Sequence, residues 1–193
     1  MRILSLLAFT LMVSNCLAQF KNIESVSISY YGEMITHPGI KVSPDFNFKE
    51  WVKTRHTKND SSKTINKSLQ VSPTFGFFYH KRYQTGLFFI PEAKFKRQNH
   101  KGGFYELGLG LGYLRTFIPN TYEVNGSGDV SKTIVGHNYF TSNYFVSFGK
   151  DLSLRKNIPF EYFIKPQFLY TVPNFPNGTG YFAIELGIRY SLK

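Results

Sequence analysis

The sequence predicts an all-β fold, an eight-stranded antiparallel up-and-down transmembrane β-barrel, on three observations. Apolar residues alternate with polar ones at period two from Val26 to the end of the chain, and helical spacing is hard to find in any long window. The hydrophobicity is carried by 20 Phe and 13 Tyr, and no apolar run in the body of the chain approaches the roughly 18 residues a membrane helix needs. The alternating segments number eight, the even count expected when both ends of a membrane barrel lie on one side.

The chain opens with MRILSLLAFTLMVSNCLAQ, in which a basic Arg2 precedes an apolar run from Ile3 to Val13 and a polar stretch that ends in small residues. This reads as a secretory signal over 1–18, cut after Ala18. The rival reading, lipid attachment at Cys16, is disfavoured by Asn15 immediately before it. Cleavage removes the single cysteine, and with it disulfides, thiol catalysis and cysteine metal sites. It also removes Arg2, leaving 22 basic and 12 acidic residues, a charge of +10. Residues 19–193 are read as one barrel domain, since no repeat, linker or second composition regime interrupts them.

The first strand is expected over Glu24 to Met34. In the second, Ile40, Val42, Pro44, Phe46 and Phe48 alternate with Lys41, Ser43, Asp45, Asn47 and Lys49. In the third, Leu69, Val71, Pro73, Phe75, Phe77 and Tyr79 oppose Ser68, Gln70, Ser72, Thr74 and Gly76. The fourth spans Thr85 to Arg97. The fifth sets Tyr105, Leu107, Leu109, Leu111 and Tyr113 against Glu106, Gly108, Gly110 and Gly112, and the sixth spans Asn138 to Lys150. The seventh runs from Phe160 to Tyr170 with Glu161, Lys165 and Gln167 on its polar side, and the last from Phe182 to Leu192 with Glu185, Gly187 and Arg189. Each is expected to be about 10 to 13 residues long. Turn signals stand between them, at Thr36 to Gly39, Lys58 to Ser61, His80 to Gln84, Asn99 to Gly103, Asn125 to Gly128, Arg155 to Asn157 and Val172 to Gly178.

The polar face is mostly Gly, Ser, Thr and Asn with isolated charges, a composition that suits the crowded lumen of a small membrane barrel. Aromatic residues near strand ends, Tyr79, Tyr105, Tyr113, Tyr139, Tyr144, Phe160 and Tyr170, are expected at the lipid headgroups. Hairpin geometry then predicts lumen ion pairs. A final hairpin centred on Phe175 puts Lys165 opposite Glu185 and Glu161 opposite Arg189, and a turn centred on His100 puts Lys94 opposite Glu106. A tip between Gly126 and Ser127 sets Phe145 against Gly108 and Asn143 against Gly110, large against small. Matched charges imply a locked interior, because eight strands enclose little more than their own side chains. Pro44, Pro73, Pro91 and Pro166 are expected at bulges or strand ends, since a closed barrel has no edge to accommodate a missing N–H. Two hairpins look long: one beyond Leu114, expected outside the cell, and one from Trp51 to Lys67, which the same count places on the periplasmic side.

With this signal segment, strand count and alternating final strand, the chain resembles the small eight-stranded outer-membrane β-barrel proteins of Gram-negative bacteria. The resemblance implies location in the cell outer membrane and insertion by the barrel-assembly machinery. That machinery reads a final strand ending in an aromatic residue, whereas this one ends Tyr190-Ser191-Leu192-Lys193. The function expected is non-enzymatic, a structural or surface-interaction barrel that is monomeric and takes no cofactor or metal. Its partners are outer-membrane lipids and lipopolysaccharide, not nucleic acid, because the basic groups around Lys53 to Lys67 and Lys94 to Lys101 meet anionic lipid first in an exported chain.

Two other classes stand beside that reading. A lipid A-modifying enzyme of the deacylase type would need a Ser, a His and an acid at the outer lipid boundary. His137, Ser142 and Glu123 are the nearest approximation, without the deacylases' His-x-Ser signature. A soluble periplasmic β-barrel would carry a hydrophobic ligand inside. His37, His56, His80 and His100 fall in or beside turns with no ligand spacing, and no catalytic residue is assigned.

Overall fold

A computed structural model of the chain describes residues 23–33, 37–56, 62–80, 84–124, 126, 128–173 and 178–192. The expected export signal and its cut, the Lys58 to Ser61 turn and the tip at Phe175 lie outside these residues. Eight strands follow one another: β1 (Ile23–Glu33), β2 (His37–His56), β3 (Ser62–Tyr79), β4 (Thr85–Asn99), β5 (Gly103–Val124), β6 (Val130–Asp151), β7 (Phe160–Val172) and β8 (Thr179–Ser191). One short helix, α1 (Ser153–Lys156), fills the β6–β7 connection and ends on Asn157 in the left-handed conformation, which Asn tolerates better than most residues.

Every strand pairs antiparallel with the next, and β1 pairs with β8, so the sheet closes on itself and has no edge within the barrel. The pairing runs from Ile188 through Ile28, Val42, Phe75, Phe89, Tyr113 and Phe140 to Val172. One further step along the β7–β8 register returns to β8 at position 178, ten residues from the start. A stagger of that size over eight strands tilts them by roughly 40° from the barrel axis. The start of β1 and the end of β8 lie at one rim, the terminus-bearing rim, where β2 leads to β3, β4 to β5 and β6 to β7; the other strand-to-strand passages are made at the opposite rim.

The strands are longer than the alternation alone suggests. β2 and β3 reach 20 and 18 residues and extend past the rim that bears the termini, while β5 and β6, at 22 each, extend past the opposite one. In β2 the regular alternation breaks at Phe48, where the register to β3 shifts by one residue between Asn47 and Lys49. Phe48 is left 77% exposed, and Lys49 comes to face the same way as its partner Leu69 rather than into the lumen.

The prolines do not sit at bulges or strand ends. Pro73 lies directly opposite Pro91, and Pro44 and Pro166 also pair within their ladders. Near them the β2–β3, β4–β5 and β6–β7 ladders are interrupted, yet the register is the same on both sides of each interruption. A closed barrel thus tolerates the missing donors because neighbouring pairs hold the register across the gap.

Candidate functional site

Side chains at the outward positions are mostly apolar and exposed, whereas those at the inward positions are buried and, apart from a set of rings and one apolar cluster, polar. In β4 the burial alternates strictly from Gly86 to Lys94, and in β7 from Phe160 to Thr171. Ile28, Phe75, Leu107, Leu109, Leu111, Ile188 and the outward residues of the other strands form a continuous apolar band around the barrel. Tyr105, Tyr162 and Tyr190 stand toward the terminus-bearing rim, and Tyr79, Tyr113 and Tyr170 toward the opposite one. Two residues depart from the expected ring of interfacial aromatics: Tyr139 is turned inward by its strand position and packs on the buried apolar cluster, and Tyr144 faces outward but pairs with Leu109 in the middle of the apolar band.

Besides Asp151, which accepts from Gln98, the interior holds among the described residues five carboxylates and five cations joined by nine ion pairs. They fall into two balanced groups. Nearer the terminus-bearing rim, Arg189 donates from Nη1 to Glu106 Oε1 at 2.9 Å and to Glu161 Oε2 at 2.7 Å, and its Nε lies 2.7 Å from Asp45 Oδ2. Lys94 donates to Asp45 Oδ1 at 2.7 Å, and Lys96 reaches both oxygens of Glu161 at 2.8 Å. Asp45 has no exposed surface and accepts further bonds from Ser25 and Ser72. In the second group Lys41 donates to Glu185 at 2.7 Å and Lys165 to Glu92 at 2.6 Å. Ser29, Asn143 and Gln167 occupy the remaining carboxylate positions. Such pairing is what burial demands, since an isolated charge in the interior costs several kcal/mol.

The six residues singled out from sequence all lie in this interior. Lys165 is directly opposite Glu185, with Nζ 3.5 Å from Oε2, and Glu161 is opposite Arg189. The expected opposition of Lys94 and Glu106 is not made. The β4–β5 connection is centred on Lys101, because Gly102 takes the left-handed conformation at φ +84°, so Lys96 faces Glu106 and Lys94 faces Gly108. Lys94 instead crosses the lumen to Asp45. Lys41, Asp45, Glu92 and Lys96 are network members that the sequence argument missed. Their signal was present in the polar parity of β2 and β4, but cross-lumen partners become visible only once the sheet closes.

Five inward phenylalanines complete the interior, each directly opposite a glycine on the adjacent strand: Phe88 with Gly76, Phe78 with Gly86, Phe145 with Gly108, Phe104 with Gly149 and Phe163 with Gly187. The rings lie so close to these glycines that an added Cβ would stand 2.0 to 2.4 Å from a ring carbon. Bent over their partners, the rings present faces to the buried cations. Lys165 Nζ is 3.9 Å from the Phe145 centroid, Lys96 Nζ 4.5 Å from Phe104, and the Arg189 guanidinium 5.2 Å from Phe163. Above the second charge group, Tyr31, Phe78, Phe88, Ile90, Leu114, Leu169 and Ala183 form an apolar cluster. The cavity beside it measures about 20 Å³, room for a water molecule rather than for the hydrophobic ligand of a soluble carrier.

No catalytic constellation forms around His137. It pairs with Thr116, Ser142 pairs with Leu111, and Glu123 pairs with Ser131. His137 and Ser142 are five residues apart on one strand, roughly 17 Å, and point to opposite faces. Glu123 lies roughly 20 Å farther out. Among the described residues no group of His, Cys, Asp and Glu is placed to hold a metal.

No protein-family model and no curated protein matches the chain. Among solved structures it is similar to the N-terminal β-barrel domain of Pseudomonas aeruginosa OprF, with 11% identity over 87% of this chain and 97% of that one and a TM-score of 0.41. It is also similar to the Yersinia pestis outer membrane protein Ail, with 10% identity over 86% and 99% and a TM-score of 0.35. The eight-stranded closed architecture rests on this chain's own strand pairing.

Proposed function

We propose that the chain is a non-enzymatic outer-membrane β-barrel whose lumen is plugged by ion pairs and rings, and which serves a structural or surface-interaction role through its projecting hairpins. The observation that carries this reading is the inversion of polarity. Apolar side chains cover the outside while, among the described residues, eleven charged groups are buried within, ten of them in ion pairs, the reverse of a water-soluble barrel. Lipid is the solvent that makes this arrangement favourable. Balanced, mutually bonded charges support a closed lumen rather than an ion path, because an ion path would present charges of one sign without partners. Outer-membrane lipids and lipopolysaccharide are the expected surroundings, with the barrel-assembly machinery a transient partner and the mature barrel a monomer.

Leu109 lies midway between Tyr105 and Tyr113 on the outward face of β5 and is 51% exposed. Leu109→Arg is expected to lower the unfolding free energy in lipid vesicles by about 2–4 kcal/mol, the cost of a cation at the bilayer midplane. Val124→Arg, at the tip of the same strand, should leave it unchanged. Equal unfolding midpoints for the two variants would exclude a lipid-facing β5.

A further inference from the structure

The β2–β3 hairpin projects from the rim where short turns are the rule, and its two faces differ sharply in charge. Past the bulge at Phe48 the register pairs Lys49 with Leu69, Trp51 with Lys67 and Lys53 with Ile65. On the far side of β3, Leu69 pairs with Phe95 and Lys67 with Arg97, which in turn pairs with Tyr105. Paired residues share a face, so the outward apolar band continues down this hairpin as a surface of cations and aromatic rings. Without the extra residue at Phe48, Lys49, Trp51 and Lys53 would be turned to the lumen side.

We propose that this face, formed by Lys49, Trp51, Lys53 and Lys67 with Arg97 beside it, binds the anionic headgroups of phospholipids in the leaflet that meets the terminus-bearing rim. The inference rests on the membrane reading above. The four cations enter no ion pair among the described residues, in contrast to the five in the lumen, and no carboxylate shares their face. Glu50 is on the other side, bonded by Asn47. Lys49 Nζ stands 5.2 Å above the Trp51 ring, and Arg97 lies 5.9 Å from the Tyr105 centroid while donating to its hydroxyl at 3.4 Å. Cation and ring are thereby held together at the depth where headgroup phosphate meets the acyl boundary. Each basic residue there favours anionic over neutral lipid by roughly five-fold, and an indole is at home at the same level.

Trp51 is the only tryptophan of the chain, so in discs assembled with a tryptophan-free scaffold protein its fluorescence reports this face alone. The purified chain is placed in nanodiscs of phosphatidylcholine and in nanodiscs that also contain phosphatidylglycerol. The expected result is Trp51 emission at shorter wavelength and reduced acrylamide quenching only in the anionic discs. Both effects are lost in about 1 M salt, where the screening length falls to about 3 Å, and in the combined variant Lys49→Gln, Lys53→Gln, Lys67→Gln and Arg97→Gln. Identical emission in the two discs, or a shift that survives both salt and the variant, overturns the proposal while the chain's comigration with the discs leaves the membrane reading intact. A chain that separates from both kinds of disc overturns both.

Discussion

Replacement of Arg189 by Met should destabilise the folded barrel by about 3–5 kcal/mol, the cost of leaving buried charge without its partner. Arg189 bonds Glu106 and Glu161 and stands within ion-pair distance of Asp45, so its loss leaves three buried carboxylates facing only Lys94 and Lys96. Arg189→Lys is expected to recover only part, because a single ammonium cannot span carboxylates that the guanidinium fork reaches from separate nitrogens. Combining Arg189→Met with Glu106→Gln restores charge balance, and the double variant should be more stable than the sum of the single effects predicts. Urea-unfolding midpoints in lipid vesicles measure all four variants. An unchanged midpoint for Arg189→Met would mean that the charge group nearer the terminus-bearing rim does not carry stability, or that water reaches it freely.

The second large effect is expected where ring and glycine meet. Gly76→Ala places a Cβ 2.0, 2.4 and 2.6 Å from three ring carbons of Phe88. The ring has little room to yield, because Tyr31 lies 5.4 Å and Phe78 6.4 Å away, centroid to centroid. The alanine variant should lose about 1–3 kcal/mol through overpacking. Since all three close contacts belong to Phe88, Phe88→Leu in the same chain should return much of the loss, although Phe88→Leu alone is destabilising. Additive effects in this cycle would show that Gly76 serves the backbone rather than the ring. The other four pairs generalise the point: a narrow barrel fills its lumen with large rings only where the facing strand offers no side chain.

Much of this architecture is legible before any coordinates because period two is a local property. Lys41, Ser43 and Asp45 declare the polar side of β2 by alternation alone, and the hairpin joining β7 and β8 has a regular register, so the facing of Lys165 and Glu185 follows from counting. Counting fails where a single residue changes the phase. Nothing in the sequence separates Phe48 from Phe46, yet one is bulged and the other paired, and every residue from Lys49 onward changes face as a result. The left-handed Gly102 likewise moves the centre of the β4–β5 turn by one residue, which exchanges the facing partner of Glu106 from Lys94 to Lys96. Bonds across the lumen, such as Lys94 to Asp45 or Arg189 to Glu106, depend on closure between β8 and β1 and on the stagger around the barrel. Those are global quantities, absent from any single strand or hairpin. In β4 the inward Phe88 and Ile90 also blurred the polar parity that carries Glu92, Lys94 and Lys96.

The proposed reading puts lipid, not water, against the apolar outer face. Its most direct test is fractionation of cells expressing the full chain, followed by gel migration of the membrane fraction with and without boiling. Recovery in the outer membrane, with a compact species before boiling that migrates differently afterwards, is the predicted result. Recovery in the soluble periplasmic fraction, with migration indifferent to heat, would contradict it.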